Sequence, residues 1–460
     1  MTVVTGAQHE VGVDEMFFST TDKKGVIEQA NAVFVRLSRY SREQLVGAPH
    51  NIIRHPDMPG GAFRVMWDTL EAGRPFGAYV HNLAADGSRY DVFATITPVA
   101  DGYLSVRTRP CRTDIMAVAD SLYDSARDLE RQLEAEGKHA PARAREAAEH
   151  LAAALQSAGV GTYDDFLMEV LPAEVEARHR ISGGIPLRRE APSELVTILA
   201  TSHELFDHLE AWLSDLDRLA QFSLDLQEAA HRLAKGVSNA ARTAQLIQDV
   251  EVGPEFASLI MPLRLWSDMA HEIDPILAEI GPTLEELRSS TAATRFRIAL
   301  ARLHTEITAR FAVELIDSQQ DADKSREPLQ NLPSIGLLCQ ALSEGIDELK
   351  RQVASHADLV HRAMDLVDES AGVMQIPTDL MATWHASLAA RSDVPPRIAQ
   401  LSPQIGAQVT SSAEAIAALQ HLGVQADQAL IRHDSGILAD CVERIAKAAD
   451  SVLASRGLSH

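Results

Sequence analysis

The first 110 positions alternate between two periods. "MFFSTTD" and "VIEQAN" read as two short strands joined by the turn "DKKG". In "NAVFVRLSRYS" the apolar Val33, Phe34 and Leu37 recur at helical spacing, and "SREQLVG" follows as a short helix with a Ser cap and a terminal Gly. "GGAFRVMWDTLEAG" puts Phe63, Met66, Trp67 and Leu70 on one helical face and ends at Gly73. Three strands then follow, "FGAYVHNLAA", "RYDVFATITPVA" and "GYLSVRTRP", separated by the hairpin signals "ADGS" and "ADG". The predicted order is two strands, helices, then a three-stranded antiparallel meander.

From Thr113 onward the period is helical almost throughout. "TDIMAVADSLYDSARDLERQLEAEG" and "AREAAEHLAAALQSAG" read as helices within a connecting helical stretch over 113–179, and the Gly- and Pro-rich stretch 180–194 reads as a linker. Steps of three and four residues from Leu195 then pass through Ile198, Ser202, Leu205, Leu209, Trp212, Leu216, Leu219, Ser223, Leu226, Ala230, Leu233, Val237, Ala240 and Ala244. Ser202 and Ser223 are the two polar exceptions, so the seam predicts a long helix in a coiled coil or an antiparallel bundle. Pro262, Pro275 and Pro282 are expected to break or kink the next segment. The expected organisation is a tail over 1–15, a mixed α and β domain over 16–112, connecting helices, a linker, and a helical bundle over 195–460.

Composition narrows the function classes. A net charge of -23 argues against a nucleic-acid partner, which needs a basic face. Cys111, Cys339 and Cys441 lie far apart without zinc or redox spacing, which suits a reducing compartment. The N-terminus lacks the basic start and apolar run of a signal peptide, and no apolar window reaches membrane-spanning length. A cytoplasmic protein without a membrane span is expected. No P-loop, G-x-S-x-G or H-E-x-x-H run is present, and His203 and His208, five apart, fall on different helical faces. An enzyme is not expected.

The densest chemistry lies in "PHNIIRHPDMPGGAF", residues 49 to 63, a stiff loop carrying two imidazoles, a guanidinium and a carboxylate. Two readings of the residues stand side by side. Asp57 and Arg54 could form a structural knot, with His50 a surface residue, or the loop could grip a small polar ligand.

The strand order is that of a PAS domain. The run "NAVFVRLSRYSREQLVGAPHNIIRHPDMPGGAFRVMWDTLEAGRPF", Asn82, "DGSRYDVFATITPV" and "SVRTR" together resemble the PAS domain of Aer-type aerotaxis receptors. The resemblance implies an α+β PAS domain with a five-stranded antiparallel sheet and flanking helices, followed by a long all-α region. It further implies non-covalently bound FAD, with flavin redox state reported to a helical signalling region. Carried over residue by residue, it implies that Asn31, Arg54, His55, Asp57 and Asn82 contact or shape the flavin site, and that Phe63 and Trp67 line it. The family usually has Trp where this chain has Phe76, which keeps an aromatic wall but loses the indole N–H. Haem held by His55 or His50, and a PAS scaffold without cofactor, are the alternatives. The stretch from Asn239, "NAARTAQLIQDVEVGPEFASLIMPLRLWSDM", partly resembles a chemoreceptor hairpin tip but lacks its dense Glu, Ala and Arg. A homodimer and a chemotaxis-type signalling partner are expected.

Overall fold

The computed structural model describes residues 3–188, 193–248, 257–319, 332–430 and 434–455. Five strands, β1 (Met16–Asp22), β2 (Ile27–Ala30), β3 (Phe76–Leu83), β4 (Arg89–Val99) and β5 (Gly102–Thr108), form one antiparallel sheet in the order β2-β1-β5-β4-β3. The meander β3–β4–β5 pairs in sequence, and β1 inserts beside β5, from Met16 opposite Thr108 to Asp22 opposite Gly102. The β1–β2 turn is set by Asp22, whose carboxylate accepts from the Lys24 and Val26 amides. Gly25 completes it at φ +78, with space limited by the Trp67 ring.

Between β2 and β3 lie α1 (Ala32–Ser38), α2 (Arg42–Leu45), a 3-10 turn (His50–Ile53) and α3 (Gly60–Glu71). Gly61 lets α3 approach α5 (Ala140–Ser157), because a Cβ there would stand 2.7 Å from Ala147. Its amide is capped from outside the helix by Glu130 Oε1 at 2.9 Å. Phe17, Phe34, Leu37, Ile53, Tyr90 and Val92 form the core on the inner face of the sheet.

The outer sheet face is buried too, by helices of the same chain. Phe18 of β1 meets Phe311 of α8 (Ala257–Gln319) edge-on, with ring centroids 5.3 Å apart. Burying such a ring contributes roughly 1.5–3 kcal/mol. Leu167 of α6 (Tyr163–Ser182) packs against Gly77 of β3. The N-terminal segment, expected as a tail, is bound: Thr5 pairs with Gly87, His9 with Arg89, and Val11 is buried.

The chain divides into two compact units that interleave in sequence. One comprises residues 1–211, 295–349 and 434–460, and the other 212–294 and 350–433. The first holds the sheet, α4 (Thr113–Ala135), α5, α6 and α11 (Ser435–Ser455), with the matching parts of α7 (Ser193–Gln248), α8 and α9 (Leu332–Ala389). The described residues of the second are mostly helical, in the remaining parts of α7, α8 and α9 and in α10 (Pro396–Ala429). There Thr294 meets His356 and Gln352, and Glu286 faces Arg362. The seam from Leu195 to Val237 is buried within this single chain, apart from half-buried Ser223.

Two sequence expectations change, and one falls outside the described residues. Pro262, Pro275 and Pro282 do not break α8, which runs through all three. Ile273, Ile280, Leu284 and Leu287 are buried across that stretch, and their packing holds a helix that propensity alone would interrupt. The expected linker begins later than residue 180, since α6 extends to Ser182 and ends on left-handed Gly183. The heart of the proposed hairpin tip, 249–256, lies outside the described residues.

Candidate functional site

A cavity of about 220 Å³ lies between the inner sheet face and α3. Strand alternation supplies one wall: Phe76, Ala78, Val80 and Asn82 of β3, Ala94 and Ile96 of β4, and Tyr103, Ser105 and Arg107 of β5. Helical spacing supplies the other, with Ala62, Phe63, Met66, Trp67 and Leu70 on one face of α3. The 3-10 turn closes an end with His50, Asn51 and Ile53.

Five of the eight residues singled out from the sequence line this cavity: Arg54, Phe63, Trp67, Phe76 and Asn82. Arg54 lies over the Phe63 ring at 4.1 Å, donates to the Met58 carbonyl at 2.8 Å, and pairs by its backbone with Asn82. Its pKa is lowered by burial. Asn82 is 1 % exposed, and its Nδ2 has no partner.

Asn31, His55 and Asp57 are placed elsewhere. Asn31 caps α1: its Oδ1 accepts from the Phe34 and Phe18 amides at 3.0 and 3.1 Å, and its Nδ2 donates to the Met16 carbonyl at 2.8 Å. These three bonds tie α1 to β1. His55 is buried under the loop, where Nδ1 accepts from the Asp57 amide at 3.2 Å, and burial lowers its pKa. The Asp57 side chain is 60 % exposed, so its carboxylate faces solvent rather than the cavity.

The sequence reading missed two groups, His50 and Arg107. His50 is no surface bystander. It lines the cavity, stacks near Phe17 and Phe34, and approaches Ser19 Oγ at 3.2 Å and Arg107 Nη2 at 3.4 Å. Desolvation, with the Arg107 charge beside it, holds its pKa well below the usual value. Arg107 lies over the Phe17 ring at 4.8 Å and donates to Ser105 Oγ at 3.3 Å, while its Nη1 has no partner. No carboxylate is among the groups that shift its pKa, and burial pulls that pKa down to about 10. Its period-2 register with Tyr103 and Ser105 in "GYLSVRT" was the available signal, since an Arg in phase with an inward-facing row is unusual.

The cavity is therefore mostly apolar, and two of its lining residues, Asn82 and Arg107, each carry a buried donor without a partner. A planar, largely apolar group with electron-rich polar edges fits that donor set. No cluster of three or more His, Cys, Asp or Glu among the described residues could hold a metal ion.

A five-stranded antiparallel sheet in this order, with helices that enclose an inner cavity, is the fold of a PAS domain. The domain is similar to part of an aerotaxis receptor. Over 120 residues the chain is 41 % identical to the aerotaxis receptor of Escherichia coli strain K12, covering 25 % of this chain and 24 % of that protein. Over 81 residues it is 35 % identical to the nitrogen fixation regulatory protein of Klebsiella pneumoniae, covering 18 % of this chain and 16 % of that one. The chain thus spans a quarter or less of the length of these curated relatives. Two solved structures show weaker likeness. A Rhodobacter sphaeroides LOV protein is 22 % identical, with a TM-score of 0.21 over 31 % of this chain and 88 % of its own. A variant of the fungal photoreceptor VVD is 18 % identical, with a TM-score of 0.18 over 20 % of this chain and 74 % of its own. No family model matches the chain.

Proposed function

We propose that this protein is a redox or oxygen sensor whose PAS cavity binds a flavin, FAD, and relays its state to the helical region. The observation that carries the reading is the pairing of an apolar, aromatic-walled cavity with two buried donors that lack partners, Asn82 Nδ2 and Arg107 Nη1. Leaving such donors unsatisfied costs about 1–3 kcal/mol each, so the site favours a ligand that accepts from them. Bound flavin would supply a reversible redox change that alters charge and hydrogen bonding at its ring edge.

The chain's own groups then have distinct tasks. Asn82 offers an amide donor from β3, and Arg107 offers a fixed positive charge from β5. His50 stays neutral beside that charge, so one cation rather than two faces the ligand. Phe63, Trp67 and Phe76 exclude water from the ring plane, and Arg54 at the cavity wall is the residue to meet the dinucleotide phosphates. His55 and Asp57 hold the loop that carries Arg54, and Asn31 holds β1 against α1.

The seam buried within one chain supports a bundle that needs no second copy to cover it, so dimerisation would use other surfaces. The relatives are a receptor and a regulatory protein by name. On that basis the partner is a downstream signalling protein of the chemotaxis kind, and the protein is not an enzyme. No described helix is long and apolar enough to cross a membrane, which fits a cytoplasmic location.

The test is an absorption spectrum of the purified protein. Flavin bands that bleach on reduction are expected. A colourless protein that takes up no added FAD would favour the cofactor-free scaffold, and a Soret band would favour haem.

A further inference from the structure

Helix α6 carries features that binding in the cavity does not need. Its inward residues run along the outer face of β3 and onto α8. At its start Tyr163 stacks on Phe76, with centroids 5.3 Å apart and planes 9° from parallel, and bonds to the Gly77 carbonyl. Phe76 is itself a wall of the cavity, so α6 touches the site through a single ring.

One turn apart near its other end stand Glu174 and Arg178, each 2 % exposed. Charged side chains are almost never buried to that extent unless they are paired. Glu174 accepts from the Tyr79 hydroxyl at 2.6 Å and from the Cys111 and Arg112 amides at 2.7 and 2.9 Å. Those two amides lie where the sheet hands over to α4. Arg178 donates to the Val13 carbonyl at 3.0 Å, just before β1, and forms an ion pair with Glu306 of α8. Glu306 also accepts from Arg310 at 2.8 Å, and Arg310 reaches Asp14 at 3.2 Å.

One helix therefore holds the cavity wall, both ends of the PAS chain path and α8. We infer that α6 is the coupling element of the protein: Phe76–Tyr163 is its input, and the buried Glu174 and Arg178 are its output to α8. The inference is independent of which ligand fills the cavity. The physical reason is stiffness. α6 is continuous from Tyr163 to Ser182 despite Pro172 and is held beyond that proline by buried charge-assisted bonds, so a shift at Phe76 is passed through close packing toward Glu306.

The test is hydrogen exchange of the full chain in the parent, Glu174→Gln, Arg178→Met, the double variant and Tyr79→Phe. Glu174 makes no hydrogen bond to α8. Glu174→Gln is nonetheless expected to speed exchange about tenfold around Cys111–Arg112, the size of one lost charge-assisted bond, and several-fold in α8 around Glu306. The double variant should show less than the sum of the single effects in α8, because both act through one element. An effect of Glu174→Gln confined to the Cys111–Arg112 stretch, or additive single effects in α8, would overturn the inference. If Glu174→Gln loosens the whole sheet, Tyr79→Phe decides. It removes one of three bonds, and α8 must respond to it in the same direction. Repeating the exchange with added FAD separates the two readings: failure to take up FAD sinks the flavin assignment alone, while the variant pattern in ligand-free protein judges α6.

Discussion

Arg107→Met should stabilise the ligand-free protein and remove its response to flavin. The guanidinium is buried, one of its terminal nitrogens has no partner, and no carboxylate neutralises it. Its pKa falls from 12.5 to about 10, and at 1.36 kcal/mol per unit that corresponds to about 3 kcal/mol of desolvation cost. Against this stand the contact with Phe17, worth up to about 2 kcal/mol when desolvated, and long bonds to Ser105 and His50. Methionine fills most of the volume with apolar atoms, so the net gain should be on the order of 1 kcal/mol, a rise of about 2–4 °C in melting temperature. Saturating flavin should reverse the order. At one hundred times Kd a ligand adds about 2.7 kcal/mol to the parent, whereas loss of a charged donor worth about 1.5–3 kcal/mol leaves the variant with little increment at the same concentration. The assay is a pair of thermal melts for each protein, with and without FAD. A ligand-free Arg107→Met that melts below the parent, or that keeps the full flavin increment, would refute the account of Arg107 as a cation held ready for a ligand.

Four further outcomes follow from the same geometry. Asn31→Ala should cost about 2–3 kcal/mol in a denaturant melt, since it removes a helix cap and leaves the buried Phe18 amide and Met16 carbonyl unpaired. Asp57→Ala should shift stability by under about 0.5 kcal/mol and leave the flavin spectrum unchanged, because the carboxylate is 60 % exposed. His304, fully enclosed, has its pKa lowered from 6.5 to about 4 by burial. The unfolded chain then binds more protons below pH 6.5, so stability present above that pH is lost as pH falls toward 4, with a limiting slope near 1.4 kcal/mol per unit; His304→Leu should flatten that limb in pH-dependent melts. Gly25→Ala should weaken flavin binding as well as stability, because its backbone is left-handed and the new Cβ would press the Trp67 ring at 3.2 Å; unchanged titration of FAD would contradict it.

Much of the PAS domain was legible in the chain because its signals are local. The turn at Asp22–Gly25, the Ser41 cap of α2, the α3 face through Phe63 and Trp67, and the two hairpins each depend on a few adjacent residues. The same locality explains what stayed hidden. Asp57 and His55 look like ligands in a motif, but whether a loop side chain faces in or out depends on what packs above it. His50 and Arg107 are 57 residues apart and meet only because β1 inserts beside β5 and the 3-10 turn folds over it. The prolines of α8 illustrate the opposite failure, where tertiary packing outweighs a strong local breaker.

The sequence by itself therefore determined element type, strand alternation and the apolar seam, since periodicity in a chain reports which face of each element is buried. Tertiary structure alone decided which faces meet. It put Phe311 of a distant helix on the outer face of the sheet, split the helical region between two units, and placed Glu174 and Arg178 where no pattern of spacing points. The physical reason is that burial of a charge, unlike burial of a leucine, depends on partners that converge from far along the chain, and local periodicity holds no record of them.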